Sequence, residues 1–335
     1  VDHLSLDAGQ YGLLTSFYYF AYAPMQVPVG MMVDKIGVRK SLLFACLVAT
    51  FGSLVFASAD YFSLVAGGRF FVGMGSAFAY VSALKIATVW LPKRYLATAA
   101  GCTTSGGMIA AILTNIYFAR ALESYGFAFT EFIPVGIGLV LFLIIFLFVV
   151  EPDESNLGEV SPAISFREFK VYLKQIILSK QLWLIGLVGA FLYIPSSVFL
   201  DTWATPYLMN VHQLSLKQAT SAGSVMLAGW ITSSLLTGII SDYMGNRKIP
   251  LIFASLLSLI MACVLLYGPK LDYQILLVVM YIFGFGCGPH PLCHILAKEN
   301  FSSVVAGTAI SFANFLIMLG GFVFQPILGY ILNYL

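Results

Sequence analysis

The sequence predicts an all-α membrane protein built from two repeated helical bundles. Three observations predict it. The 335 residues are 60% hydrophobic and only 10% charged, where a soluble domain carries about a quarter charged residues. Apolar runs of about 20 residues, long enough to cross a bilayer, recur along the chain. A charged loop in the first half, "GMMVDKIGVRK" at 30–40, returns in the second half as "GIISDYMGNRK" at 238–248.

The apolar runs fall at 9–33, 41–59, 62–90, 97–121, 129–150, 182–208, 217–241, 249–268, 273–296 and 304–333, which makes ten predicted spans. One long polar stretch, Glu151 to Gln181, separates the fifth from the sixth. It carries Glu151, Asp153, Glu154 and Glu159, then a basic amphipathic run that reads as an interfacial helix at Phe166–Leu178. The expected domains are an N-terminal bundle over 1–150, a cytoplasmic linker over 151–181 and a C-terminal bundle over 182–335. Cys46, Cys102, Cys263, Cys287 and Cys293 all lie in apolar runs without a framework spacing, so reduced packing thiols are expected.

Orientation follows from Lys and Arg. With ten consecutive crossings, Lys35, Arg39, Lys40, Lys93, Arg94, Arg167, Lys170, Lys174, Lys180, Arg247, Lys248 and Lys298 share one side. The opposite loops hold Lys217 and Lys270. The positive-inside rule places the first group, and the central loop, in the cytoplasm.

The halves repeat at an offset of 208: Ser16, Gly30, Asp34, Gly37, Arg39 and Lys40 land on Ser224, Gly238, Asp242, Gly245, Arg247 and Lys248. Looser echoes pair "FFVGMGSA" (70–77) with "YIFGFGCG" (281–288), and Ala100-Gly101 with Ala306-Gly307. The charged loop follows the first visible span in one half and the second in the other. The expectation is therefore a span before Val1 and another after Leu335, giving spans two to eleven of twelve. The alternative is a ten-span protein with mismatched loops.

Gly30-x-x-x-Asp34-Lys35-x-Gly37-x-Arg39-Lys40 resembles the signature loop of the major facilitator superfamily, and the Gly238–Lys248 copy is a degenerate form of it. "GRFFVGMGSA" from Gly68 and "WLPKRYLATAAG" from Trp90 resemble the fourth span and the loop after it in that superfamily. The resemblance implies a major facilitator fold of two pseudo-symmetric helical bundles and, in a bacterial inner membrane, a permease of the sugar-phosphate, organic-acid or amino-acid branches. It also implies a conformational latch at Gly30, Asp34, Gly37, Arg39 and Lys40, with Gly238, Asp242, Gly245 and Arg247 in the second copy. The residues suggest how such a latch holds. A carboxylate at a cytoplasmic helix end can face the positive N-terminus of a neighbouring helix, Gly30 allows close packing, and Arg39 and Lys40 can pair with acids across a seam. A topology determinant with turn residues is the plainer reading of the same loop.

Substrate-binding candidates are the polar residues inside spans. Arg69 can bind an anion bidentately or tie two spans together. Tyr18, Tyr22 and Gln26 recur at i, i+4, i+8 as one stripe, either a cavity wall or packing. Asn115, Trp230 and Asn314 fall near mid-depth. Lys85 lies toward the cytoplasmic end of its span, where snorkelling explains it. In "GCGPHPLCHILAKEN", Cys287, His290 and His294 share helical spacing, but Pro289 and Pro291 disturb the helix. His290 and His294 are proton-coupling candidates, and no metal site is expected.

The expected function is secondary active transport of a small polar solute, an organic anion, by alternating access. The alternatives are neutral amino acids or nucleosides as substrate, or a non-transporting sensor on the same fold. An enzyme is not expected, since the chain has no phosphate-binding loop, H-E-x-x-H or G-x-S-x-G motif. Expected partners are a small-molecule substrate, the lipid bilayer, and a proton or counter-ion. No cofactor or nucleic-acid partner is expected, and the protein is read as a monomer.

Overall fold

The structure is a computed structural model that describes residues 8–150, 166–302 and 305–333. Its helices are α1 Ala8–Ile36, α2 Val38–Ala57, α3 Phe62–Trp90, α4 Leu96–Phe148, α5 Phe166–Leu178, α6 Lys180–Ile194, α7 Ala204–Val211, α8 Leu216–Met244, α9 Lys248–Tyr267, α10 Tyr273–Cys287, α11 Pro291–Glu299 and α12 Ala306–Asn333. No strand occurs among the described residues, as expected where lipid offers the backbone no hydrogen bonds and each spanning helix must satisfy its own. Eight stretches of the described helices are long and apolar enough to cross a membrane. Helices α1 and α12 occupy the first and last predicted spans.

The outward faces are apolar rather than charged. Leu139, Val140, Leu143 and Leu147 of α4 are each more than half exposed, which in water would be an aggregation surface and in a bilayer is the solvated face. α5, at the predicted position, is strongly amphipathic and buries Ile176 while Lys170 and Lys174 face outward. The acidic stretch Glu151–Glu159 lies outside the described residues.

The helices break where the sequence gives a physical reason. Gly126, at φ 76° and ψ 173°, breaks α4 between the two predicted spans it contains. The predicted span 182–208 is not one regular helix: after Ile194 the chain runs as a π-helix over Pro195–Trp203 and returns to α geometry at Ala204. Pro195 lacks the N–H that an α-helical turn requires at that point. The predicted span 273–296 is likewise divided, between Cys287 and Pro291.

Two compact units result. One comprises Val1–Ile86, Ile112–Leu178 and Phe301–Phe315; the other comprises Ala87–Ala111, Ser179–Asn300 and Leu316–Leu335. The first has a core around Leu14, Ala59, Val65 and Ala66. The second is centred on Leu208, Met226, Trp230, Leu276, Met280 and Phe283.

Candidate functional site: two capped seams and a polar stripe

In the first unit, one face of α1 carries Tyr18, Tyr22, Gln26, Gly30 and Asp34, each four residues apart. Each four-residue step advances about 40° around the helix, so the five form one ridge that winds along α1. The start of α12 lies along it. At mid-stripe Gln26 is fully buried, and its Oε1 accepts from Asn314 Nδ2 at 2.9 Å. Asn314 Nδ2 also reaches the Tyr22 hydroxyl at 3.5 Å, and Tyr22 stacks on Tyr18 with ring centroids 5.6 Å apart. At Gly30 a Cβ would come within 2.6 Å of Ser311 Oγ and 2.7 Å of Thr308 Cα, so only glycine lets the two helices meet there.

The stripe ends at Asp34. Its carboxylate accepts from the backbone N–H groups of Gly307 at 3.1 Å and Thr308 at 2.8 Å, and from the Thr308 hydroxyl at 2.9 Å. These N–H groups belong to the first turn of α12 and have no acceptor within the helix. Asp34 therefore caps a helix 273 residues away in sequence and faces its positive end. Lys85 Nζ donates to Asp34 Oδ1 at 2.7 Å, with the Asp34 side chain 3% exposed. Lys85 is thus the partner of a buried carboxylate, where its position in the span suggested only a snorkelling cation. Arg39 donates to the Phe146 carbonyl at 2.7 Å and lies over the Phe146 ring. Lys40 is exposed.

The second unit repeats the device. Asp242 accepts from Ala97 N at 3.2 Å, Thr98 N at 2.7 Å and Thr98 Oγ1 at 2.7 Å, at the start of α4. Its cation is Arg247, at 2.7 Å, which also reaches Glu299 at 3.2 Å and the Ser241 hydroxyl at 3.1 Å. Gly245 ends α8 in the left-handed region at φ 61°, which explains a glycine there; Gly37 also needs a positive φ, 89°, but at ψ 164° it makes a different, extended turn that glycine alone adopts readily. A Cβ on Gly238 would lie 2.6 Å from the Ala97 carbonyl. The matching cap residues are Thr98 and Thr308, so the echo between the capped helices runs at a different register from the pairing of Ala100-Gly101 with Ala306-Gly307.

Arg69 sits on α3. Its guanidinium lies over the Phe56 ring, 5.4 Å from the centroid. Tyr18 and Glu131 are within electrostatic reach of it. None of the ion pairs among the described residues includes Arg69, and its buried Nε has no hydrogen-bond partner there. Arg69, Tyr18, Tyr22, Gln26 and Asn314 therefore form one connected polar track in the first unit. Trp230 lies in the second unit with His290 and His294. The side chain of Asn115 is outside the described set. No group of three metal-ligating side chains converges among the described residues.

Sequence reasoning missed Thr98, Thr308, Lys85, Glu299 and Glu131. The two threonines carried a signal, since each opens a span and follows a small residue. Lys85 and Glu299 carried none, because their partners are 51 and 52 residues away.

Comparison with known proteins fits this architecture. A family model, Major Facilitator Superfamily, matches residues 1–325. Among curated relatives, the probable galactarate/D-glucarate transporter GudP of Bacillus subtilis is 24% identical over 99% of this chain and 80% of its own length. The probable sulfoacetate transporter SauU of Cupriavidus necator is 26% identical over 73% of this chain and 59% of its own. Probable anion transporter 7 of rice is 23% identical over 74% of this chain, and the match spans 60% of the rice protein. In fold, the chain is similar to the transporter FucP in its outward conformation, with a TM-score of 0.77 at 16% identity over 99% of this chain and 85% of that one. It is also similar to the human organic anion transporter MFSD10, with a TM-score of 0.73 at 18% identity over 95% and 76% of the two chains. On the family match and these helices, the chain belongs to the Major Facilitator Superfamily.

Proposed function

We propose that the protein is a secondary active transporter of a small organic anion, working by alternating access between two helical halves, 1–150 and 182–335, joined by the linker 151–181. The observation that carries this reading is Arg69. A guanidinium on a membrane-spanning helix, with no ion-pair partner among the described residues and a buried Nε without an acceptor, is costly unless a ligand supplies the counter-charge. Its planar donors suit a carboxylate or sulfonate held by two hydrogen bonds. Relatives named for galactarate and D-glucarate, for sulfoacetate and for anions support the same class.

In this reading Tyr18, Tyr22, Gln26 and Asn314 line the path of the anion beside Arg69, with Asn115 and Trp230 as further contacts. The latch is Gly30, Asp34, Gly37, Arg39 and Lys40 with Gly238, Asp242, Gly245 and Arg247. Releasing a capped helix end would expose its N–H groups and the paired carboxylate together, so the caps favour the state in which they form. His290 and His294, with ring centroids 6.1 Å apart, are the groups for a coupled proton. The protein is a monomer of a bacterial inner membrane, with the linker in the cytoplasm. A neutral amino acid or nucleoside as substrate, or a sensor without transport, would leave Arg69 with no directly paired counter-charge, only Glu131 at longer range.

The test is ligand-induced thermal stabilisation of the purified protein, on wild type and Arg69→Ala. The panel holds D-glucarate, sulfoacetate, a neutral amino acid and a nucleoside. An anion is expected to raise the melting temperature and Arg69→Ala to abolish the shift. Stabilisation by neutral solutes alone, or an unchanged anion shift in Arg69→Ala, would overturn the reading.

A further inference from the structure

In the second unit a compact cluster joins three helices at the two places where helical geometry fails. Tyr193 lies in the last turn of α6, directly before the π-helical segment Pro195–Trp203. His290 lies in the turn between α10 and α11. Trp230 comes from the middle of α8. The Trp230 and His290 rings are 5.2 Å apart, Tyr193 and His290 5.4 Å, and Tyr193 and Trp230 5.8 Å. Both breaks are held: Ser234 Oγ donates to the Gly288 carbonyl at 2.9 Å, and Ser197 Oγ to the Tyr193 carbonyl at 3.2 Å.

Two polar atoms of this cluster have no partner. Trp230 Nε1 and His290 Nδ1 are buried without a hydrogen bond to any described residue, on side chains 0% and 5% exposed. Buried polar atoms in native proteins normally find partners, so a neighbouring pair without them points to a ligand. Discontinuous helices are also where membrane transport proteins place their sites, and π-helical turns cluster at functional positions.

We infer that Trp230 and His290 form a hydroxyl-binding subsite for an uncharged, polyhydroxylated portion of the substrate. The inference rests on the transporter reading above and deepens it to hydroxylated acids. The chemistry selects the class. Indole Nε1 only donates, whereas imidazole Nδ1 donates or accepts according to tautomer. A hydroxyl can accept from Trp230 and can satisfy His290 in either tautomer. The cluster contains no Lys or Arg, so an ionised carboxylate there would find no permanent counter-charge. The rings of Trp230 and Tyr193 offer apolar surface to a carbon chain, and half-buried Tyr193 is the most accessible member of the cluster.

The test uses the purified full chain and three six-carbon probes. D-Glucarate has two carboxylates and four hydroxyls, adipate the two carboxylates alone, and galactitol hydroxyls alone. Binding is measured by titration calorimetry on wild type, Trp230→Phe, His290→Phe and Arg69→Ala. Wild type is expected to bind D-glucarate more tightly than adipate. Trp230→Phe keeps a ring in place, and it is expected to weaken D-glucarate about tenfold, the scale of one hydrogen bond, while leaving adipate unchanged. His290→Phe is expected to act in the same direction.

A purely structural role would move both acids together in both variants, and that result would overturn the subsite. So would equal wild-type affinity for D-glucarate and adipate, or no binding of either hydroxylated probe. Arg69→Ala separates the two readings, since it is expected to weaken both acids and spare galactitol. If galactitol alone binds and Trp230→Phe abolishes it, the subsite stands and the anion reading falls.

Discussion

In the first unit, Asp34 receives two N–H groups of α12 and a lysine from α3. In the second, Asp242 receives two N–H groups of α4 and an arginine from its own loop. The caps match almost atom for atom, down to a threonine hydroxyl on each carboxylate. The supports differ. Lys85 ties the first cap to a helix that also carries Arg69, whereas Arg247 ties the second to Glu299 at the end of α11. Further along the stripes the chemistry diverges. Where the first unit has Tyr18, Tyr22 and Gln26, the second has Met226, Trp230 and Ser234 at the 208-residue offset. A repeat thus preserves the part that holds a helix end and varies the residues further along the same ridge.

Several substitutions would sharpen or break this comparison. The largest effect is expected at Asp34. Asp34→Ala removes a helix cap and the acceptor of a buried ion pair, a loss of about 3–5 kcal/mol, measured by denaturation in detergent. Asp242→Ala is expected to cost about 2 kcal/mol, because Arg247 keeps Glu299. Equal losses would show that the supports are equivalent. Gly30→Ala and Gly238→Ala should each cost about 1–3 kcal/mol, since each added methyl meets a backbone across the seam. A tolerated substitution at one of them would show that its seam is looser than the other.

Gln26→Leu breaks the hydrogen bond to Asn314 and should weaken anion binding about tenfold. Ser234→Ala, at the equivalent position, should weaken anion binding less, since Ser234 acts only by holding the turn at Gly288, and calorimetry compares the two. The smallest effect belongs to His212, outside the spans and 4% exposed. Burial, and secondarily the charge of Lys270, hold its pKa below the ordinary histidine value. The unfolded chain then binds the proton first as pH falls, so His212 adds stability above about pH 6.5 that is lost below it. His212→Gln should flatten that part of the stability–pH profile, measured as melting temperature against pH.

The legible features are those set by the bilayer and by local chemistry. The apolar run at 62–90 becomes α3 over Phe62–Trp90, and the basic amphipathic run becomes α5 over Phe166–Leu178. Run length and amphipathic period are properties of a contiguous segment. The cap on Asp34 was legible in kind, as a carboxylate at a helix end, but its receiver was not, because nothing local links Asp34 to Thr308. Lys85 read as a snorkelling cation for the same reason. The break before Pro195 was marked by the proline itself, yet a strongly apolar run concealed it. Glu131 carried no local sign of a role, since only the fold brings it within reach of Arg69.

The most direct test of the central claim is uptake of labelled D-glucarate into proteoliposomes holding wild type, Arg69→Lys or Arg69→Ala. Saturable uptake by wild type is expected, with a marked loss in Arg69→Lys, which keeps the charge but not the planar pair of donors, and no uptake above empty vesicles in Arg69→Ala. Wild-type uptake rates in Arg69→Ala would contradict the account and leave Arg69 a packing residue of α3.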